Sequence, residues 1–138
     1  MEENLNLRLV NTFRRSVHLS EHSFFMFKGQ GRVLSMLRRS GGKLEQREIQ
    51  ARTELRSSSL SEITAKLESS GFVTKSVGEG DRRSTLLTLT EAGWKEALRI
   101  NEESRKLGDK AFQALTEEEK SELLRLLGKL NSYWKEAL

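Results

Sequence analysis

Apolar residues recur at every fourth position near the N-terminus, at Leu5, Leu9, Phe13 and Val17. They place one stripe on a helix predicted from about Asn4 into the region of residues 18–23. Phe24, Phe25, Met26 and Phe27 then form a dense apolar knot, after which Gly29 and Gly31 loosen the backbone. Core packing accounts for such a knot, and so does the wall of a small-molecule pocket; the pattern leaves both open. Val33, Leu34 and Leu37 resume helical spacing, and the pair Gly41-Gly42 stops that helix at its C-terminal end.

From Lys43 onward the punctuation is denser. A short helix carrying Ile49 and Ala51 is predicted over about Gln46–Thr53, then a turn around residues 54–56, then a serine-rich start into a helix of about Ser58–Ser70. On this second helix Leu60, Ile63, Thr64 and Leu67 follow the i, i+3, i+4, i+7 pattern and define the buried face. Advancing about 100° per residue puts Ser58, Glu62, Ala65 and Ser69 opposite that face, with Ser61 and Lys66 beside them. A second helix whose outer face is small and polar can lie deep in a major groove, because nothing bulky holds it off the base edges.

Gly71 ends the helix, and residues 72–77 read as a strand by their aromatic and β-branched content. Residues 78–81 supply a turn, and Ser84 to Leu89 returns as a strand in which Thr85, Leu87 and Leu89 alternate with Leu86, Thr88 and Thr90. Arg82 and Arg83 stand where turn meets strand. A hairpin carrying two arginines beside a helix-turn-helix has the physical make-up of a wing that reaches an adjacent, narrower groove.

Thr90 is placed to cap a helix from Glu91 to about Lys106, with Trp94, Ala97 and Leu98 on its apolar side and Gly108 expected to bend or divide the run. Thr116 with Glu119 fits a capping box for the last helix. Its Leu123, Leu126, Leu127, Leu130, Tyr133 and Trp134 make a face too broad for an exposed element. The simplest cover is the equivalent helix of a second chain together with the first helix, with packing inside one chain as the alternative. Leu5, Leu9, Phe13, Leu123, Leu127, Leu130 and Trp134 are therefore the expected dimerization residues. The fold class that emerges is mainly α with a small β-hairpin wing: a winged helix-turn-helix over residues 29–93, flanked by a helical dimerization region from residues 1–28 and 94–138.

Composition narrows the chemistry. The 138 residues, 36% of them apolar, have room for one domain of ordinary size, and proline is absent, so glycines and caps do the punctuation. With no cysteine, disulfides, thiolate metal sites and thiol redox sensing by the chain are excluded. No apolar run approaches the roughly 20 residues of a membrane helix, so a cytoplasmic protein without a membrane partner is expected. The net charge of +4 is uneven: +1 over residues 1–28, +4 over 29–90 and −1 over 91–138. A basic middle between near-neutral ends fits a module that approaches phosphates while its flanks do something else, although an ordinary solvated surface has the same composition. His18 and His22 have i, i+4 spacing beside Glu21, but with no recognisable third ligand they read as ordinary surface or interface histidines. No metal or cofactor is expected. No Gly-rich phosphate loop, clustered acid and base set, or nucleophile with a histidine partner is present, so an enzyme is not expected either.

Residues 30–93 resemble the winged helix-turn-helix of the MarR family of bacterial transcription regulators. The least common part of the match is Gly80-Asp81-Arg82-Arg83-Ser84 followed by Leu87-Thr88-Leu89-Thr90-Glu91-Ala92-Gly93. Upstream, Ser59-Leu60-Ser61-Glu62-Ile63, Lys66-Leu67-Glu68 and Gly71-Phe72-Val73 look like the family's recognition helix and the strand after it. The resemblance implies that Asp81 pairs with Arg83 and holds it toward the minor groove, that Arg82 contacts the backbone nearby, and that Ser58, Ser59, Ser61, Glu62 and Lys66 face DNA. It also raises a small organic effector, held between the dimerization helices and the DNA-binding region. Two departures stand out: Ile49-Gln50 replaces the leucine and alanine of many members, and the centre of the recognition face has no Arg or Asn. Glu62 can accept from cytosine N4 and the serines from either base type, so weak direct readout supplemented by shape and wing contacts is expected. The resulting expectation is a sequence-specific repressor, bound to double-stranded DNA as a homodimer on an inverted repeat. The alternatives are a winged-helix protein-interaction adaptor and a non-specific architectural DNA binder.

Overall fold

A computed structural model describes residues 4–24, 29–53, 55–78 and 84–138. The order of elements is α1 (Leu5–Phe24), α2 (Gln30–Arg39), β1 (Lys43–Glu45), α3 (Gln46–Thr53), α4 (Ser57–Ser69), β2 (Val73–Val77), β3 (Thr85–Leu89), α5 (Glu91–Ala111) and α6 (Glu117–Ala137). The chain divides into two compact units, one ending at Glu103 and the other running Ser104–Leu138, so the boundary falls inside α5.

The stops of α2 and α4 follow from glycine. After α2, Gly41 and Gly42 adopt φ of 81° and 96°; the Gly42 N–H donates to the Leu37 carbonyl at 2.7 Å and the Gly41 N–H to Arg38 at 3.3 Å. This paired return to the last turn satisfies carbonyls that the helix end would otherwise leave unpaired. The same device closes α4, where Gly71 has φ 79° and the Phe72 N–H donates to the Leu67 carbonyl at 2.9 Å. Phe72 thereby turns back onto the core beside Leu67. That core is formed by Val33, Leu34 and Leu37 of α2, Leu44, Ile49, Leu60 and Leu67, Val73, Leu87 and Leu89 of the sheet, and Ala97 and Ile100 of α5.

The wing hairpin belongs to a larger sheet than the sequence predicts. Three antiparallel strands lie in the order β1-β3-β2, with Leu44 opposite Leu87 and Thr74 opposite Thr88. β1 has only three residues and no alternation long enough to announce itself; it is a strand because β3 offers it a ladder and Leu44 a buried place. Gly108 does not divide α5, which runs through it, with the Phe112 N–H donating to the Gly108 carbonyl at 3.1 Å. One helical glycine costs about 1 kcal/mol relative to alanine, too little to break a helix of 21 residues.

In the second unit, Thr116 and Glu119 form the expected capping box: the Glu119 N–H donates to Thr116 Oγ1 at 3.1 Å, and the Thr116 N–H to Glu119 Oε1 at 2.9 Å. Phe112, Lys120, Leu123, Leu124 and Leu127 line a cleft of about 220 Å³ within this unit. No residue of α6 is buried. Among the described residues no helix is long and apolar enough to cross a membrane.

Candidate nucleic-acid interface

The helix-turn-helix is built by α3 and α4, and side chains outside the apolar core tie the two together. Gln50 Nε2 on α3 donates to Ser57 Oγ, the first residue of α4, at 2.6 Å. Arg32 on α2 donates to the Thr53 carbonyl at 3.2 Å, satisfying the end of α3, while Thr53 Oγ1 turns inward to the Ile49 carbonyl at 2.8 Å. The sequence marks Gln50 only as a departure from the family's usual pattern, because a glutamine on a short helix carries no signal that announces a partner seven residues on.

On α4 the division of faces follows the helical period. Leu60, Thr64 and Leu67 are fully buried and Ile63 packs partly against them. Ser58, Ser61, Glu62, Ala65, Lys66 and Ser69 are exposed, and Ser59 is half-buried at the edge. Arg56 precedes the helix in extended conformation and is itself exposed, adding a cation beside the serine-rich start. Lys75 of β2 lies 3.9 Å from Glu68 and links the end of α4 to the sheet. Thus five of the side chains expected to face DNA share one face or its edge.

The wing is described at its base. The Gly78 N–H donates to the Ser84 carbonyl at 2.9 Å, and a Cβ added at Gly78 would lie 3.1 Å from Glu45 Oε1. Glu45 also accepts from Arg47 Nε at 2.6 Å, so β1, α3 and the hairpin base meet at one carboxylate. Asp81, Arg82 and Arg83 lie outside the described residues. Phe25, Met26 and Phe27 of the apolar knot lie outside them as well.

The expected dimerization residues are open to solvent in the single chain. On α1, Leu5 is 67% exposed, Leu9 58% and Phe13 42%; on α6, Leu130 is 38% exposed, with Leu123, Leu127 and Trp134 half-buried. On α1 the apolar stripe is therefore displayed, not packed.

Comparison with known proteins matches this arrangement. Residues 28–85 match the model of the MarR family. A stretch of 64 residues is 39% identical to the uncharacterized HTH-type transcriptional regulator YwhA of Bacillus subtilis (strain 168), covering 46% of each chain, so the match spans about half the length of that relative. Among solved structures, a MarR transcriptional regulator from Methanosarcina mazei Go1 superposes with TM-score 0.81 at 17% identity, over 93% of this chain and 99% of that one. The PcaV regulator of Streptomyces coelicolor in complex with its natural ligand gives 0.78 at 20% identity, over 96% and 98%. A MarR mutant from E. coli complexed with operator DNA gives 0.76 at 19% identity, over 93% and 99%. The centre of the sequence thus matches the model of the MarR family, and the fold of MarR regulators is reproduced along nearly the whole chain.

Proposed function

We propose that this chain is a sequence-specific transcription regulator that binds double-stranded DNA as a homodimer and represses by occupying an inverted repeat. The observation that carries the reading is the small, polar, exposed face of α4, set opposite a fully buried one and fixed at its start by Gln50. A face of that kind admits base edges at close range. In this reading Ser58, Ser59, Ser61, Glu62 and Lys66 face the major groove, Arg83 oriented by Asp81 enters the minor groove, and Arg82 contacts the backbone nearby. The exposed stripe Leu5, Leu9 and Phe13 packs with the face of Leu123, Leu127, Leu130 and Trp134 from a second copy.

Selection from a library of random duplexes, followed by footprinting of the enriched sequence, tests this directly. The expected result is an inverted repeat protected on two successive major grooves. Enrichment of no sequence, or protection of one asymmetric half-site, would favour the architectural or adaptor alternatives. Control by a small organic molecule is proposed alongside, supported by the likeness in fold to PcaV with its ligand. Release of the selected duplex by a member of a panel of aromatic acids and other hydrophobic small molecules is the expected outcome. No response to any of them counts against ligand control.

A further inference from the structure

The described carboxylates between residues 29 and 100 are almost all paired. Glu45 lies against Arg47, Glu48 against Arg52, Glu68 against Lys75, Glu91 against Lys95 and Glu96 against Arg99. Of the described carboxylates between residues 29 and 100, Glu62 alone makes no ion pair with a described residue. Lys66 stands one turn further along α4, at the i+4 spacing where Glu and Lys commonly pair, and its ammonium makes no ion pair among the described residues either. Glu62 is exposed in the middle of the outer face, with Ser58 and Ser61 before it and Ala65 after it. An unneutralised carboxylate thus sits where the proposed function brings the phosphates of a duplex.

That position has a definite physical effect. A carboxylate only accepts hydrogen bonds, and DNA presents one negative charge per roughly 1.7 Å of axis, so contact with an arbitrary duplex costs repulsion and desolvation. In the major groove, guanine N7 and O6 and thymine O4 are acceptors and leave the group unsatisfied. Adenine offers its N6 amino group beside an N7 acceptor, which opposes the second carboxylate oxygen, whereas cytosine offers N4 with no acceptor of its own beside it in that groove. Burying a charge without a partner costs more than a paired one returns, so discrimination arises mainly from penalties in wrong complexes.

We propose that Glu62 is the specificity-determining residue of α4, suppressing binding to non-cognate duplex and tolerated only where a cytosine N4 amino group stands opposite it. The inference rests on α4 reading DNA as proposed above. Lys66, left unpaired by Glu62, remains available to a phosphate.

The test compares wild type, Glu62→Gln and Glu118→Gln at one salt concentration, each as the full chain. Glu118 is an exposed carboxylate of α6 and controls for net charge alone. Each protein is put through selection from random duplexes and titrated against a random-sequence duplex by fluorescence anisotropy. Since glutamine matches adenine N6 and N7, Glu62→Gln is expected to change one cytosine per half-site to adenine. It should also tighten binding to the random duplex about fivefold or more and lower the ratio of specific to non-specific affinity about tenfold. Circular dichroism should be unchanged, because the side chain is exposed. Unaltered base preference with unaltered random-duplex affinity would overturn the assignment, as would an equal gain from Glu118→Gln or a change confined to a position where wild type does not prefer cytosine. Failure of the wild type to select any sequence would instead remove the DNA-reading function itself.

Discussion

Thr90 serves two helices with one hydroxyl. Its Oγ1 donates to the Gly71 carbonyl at 2.6 Å and accepts from the Gly93 N–H at 3.0 Å, capping α5 while closing the turn after α4. Thr90→Ala should therefore lower stability by about 1–2 kcal/mol, measured by urea denaturation, with Thr90→Ser retaining most of it. The cap was legible, since a threonine before Glu91 announces a helix start; the second contact was not, because nothing in the spacing shows that residue 71 returns to residue 90. At the wing the reading depends on the family's pattern. Arg83→Ala should weaken binding to the selected duplex by about 1–3 kcal/mol, with Asp81→Ala acting in the same direction through loss of orientation. Equal affinities of wild type and Arg83→Ala in an anisotropy titration would remove that role.

Helices were legible at the scale of elements, and the shortest strand was not. The bounds Gln46–Thr53 of α3 agree with the expected ones, and α4 begins and ends one residue before expectation, with Gly71 closing its C-terminal end locally. β1 escaped because its reason to exist lies in β3, more than 40 residues away. Gly93 is a subtler case. Inside α5 a glycine reads as a weakness, yet a Cβ there would come within 2.0 Å of the Phe72 carbonyl oxygen, so only glycine lets α5 approach the end of α4 this closely. Gly108, with nothing within 4 Å of such a Cβ, has no comparable constraint. Gly93→Ala is expected to cost about 1–3 kcal/mol or more by overpacking against backbone, and Gly108→Ala to gain about 0.5–1 kcal/mol by helix propensity. Thermal melts of the two variants at one protein concentration should move in opposite directions. The Glu96–Arg99 pair on α5 adds a smaller effect: the Arg99 hydrogen bond holds the Glu96 carboxyl below its ordinary range. Its contribution is present above that range and is lost as pH falls through the lowered value.

For the whole molecule, a single copy offers one short helix with few strong base readers, so the proposed function predicts that affinity comes from two copies. If the terminal helices join two chains, two-fold symmetry presents two copies of α4 to major grooves about 34–36 Å apart. The second contact then becomes nearly intramolecular. Replacing Leu127 and Leu130 by glutamate should shift sedimentation to the monomer and lower DNA affinity at least tenfold while circular dichroism keeps its helical signal. A variant that stays dimeric, or a monomer that binds as tightly, would break this link. The two tryptophans give the molecule separate optical reporters, since Trp94 lies against Gly42 in the first unit and Trp134 sits on α6 in the second. In Trp134→Phe the remaining emission should follow unfolding of the α2–β1 corner and be indifferent to dilution. In Trp94→Phe, if two chains join through α6, the emission maximum should move to longer wavelength as the protein is diluted, because separating them would return water to the indole ring. One chain thus carries a fluorophore for folding and, on the proposed dimer, another for association, readable without any attached dye.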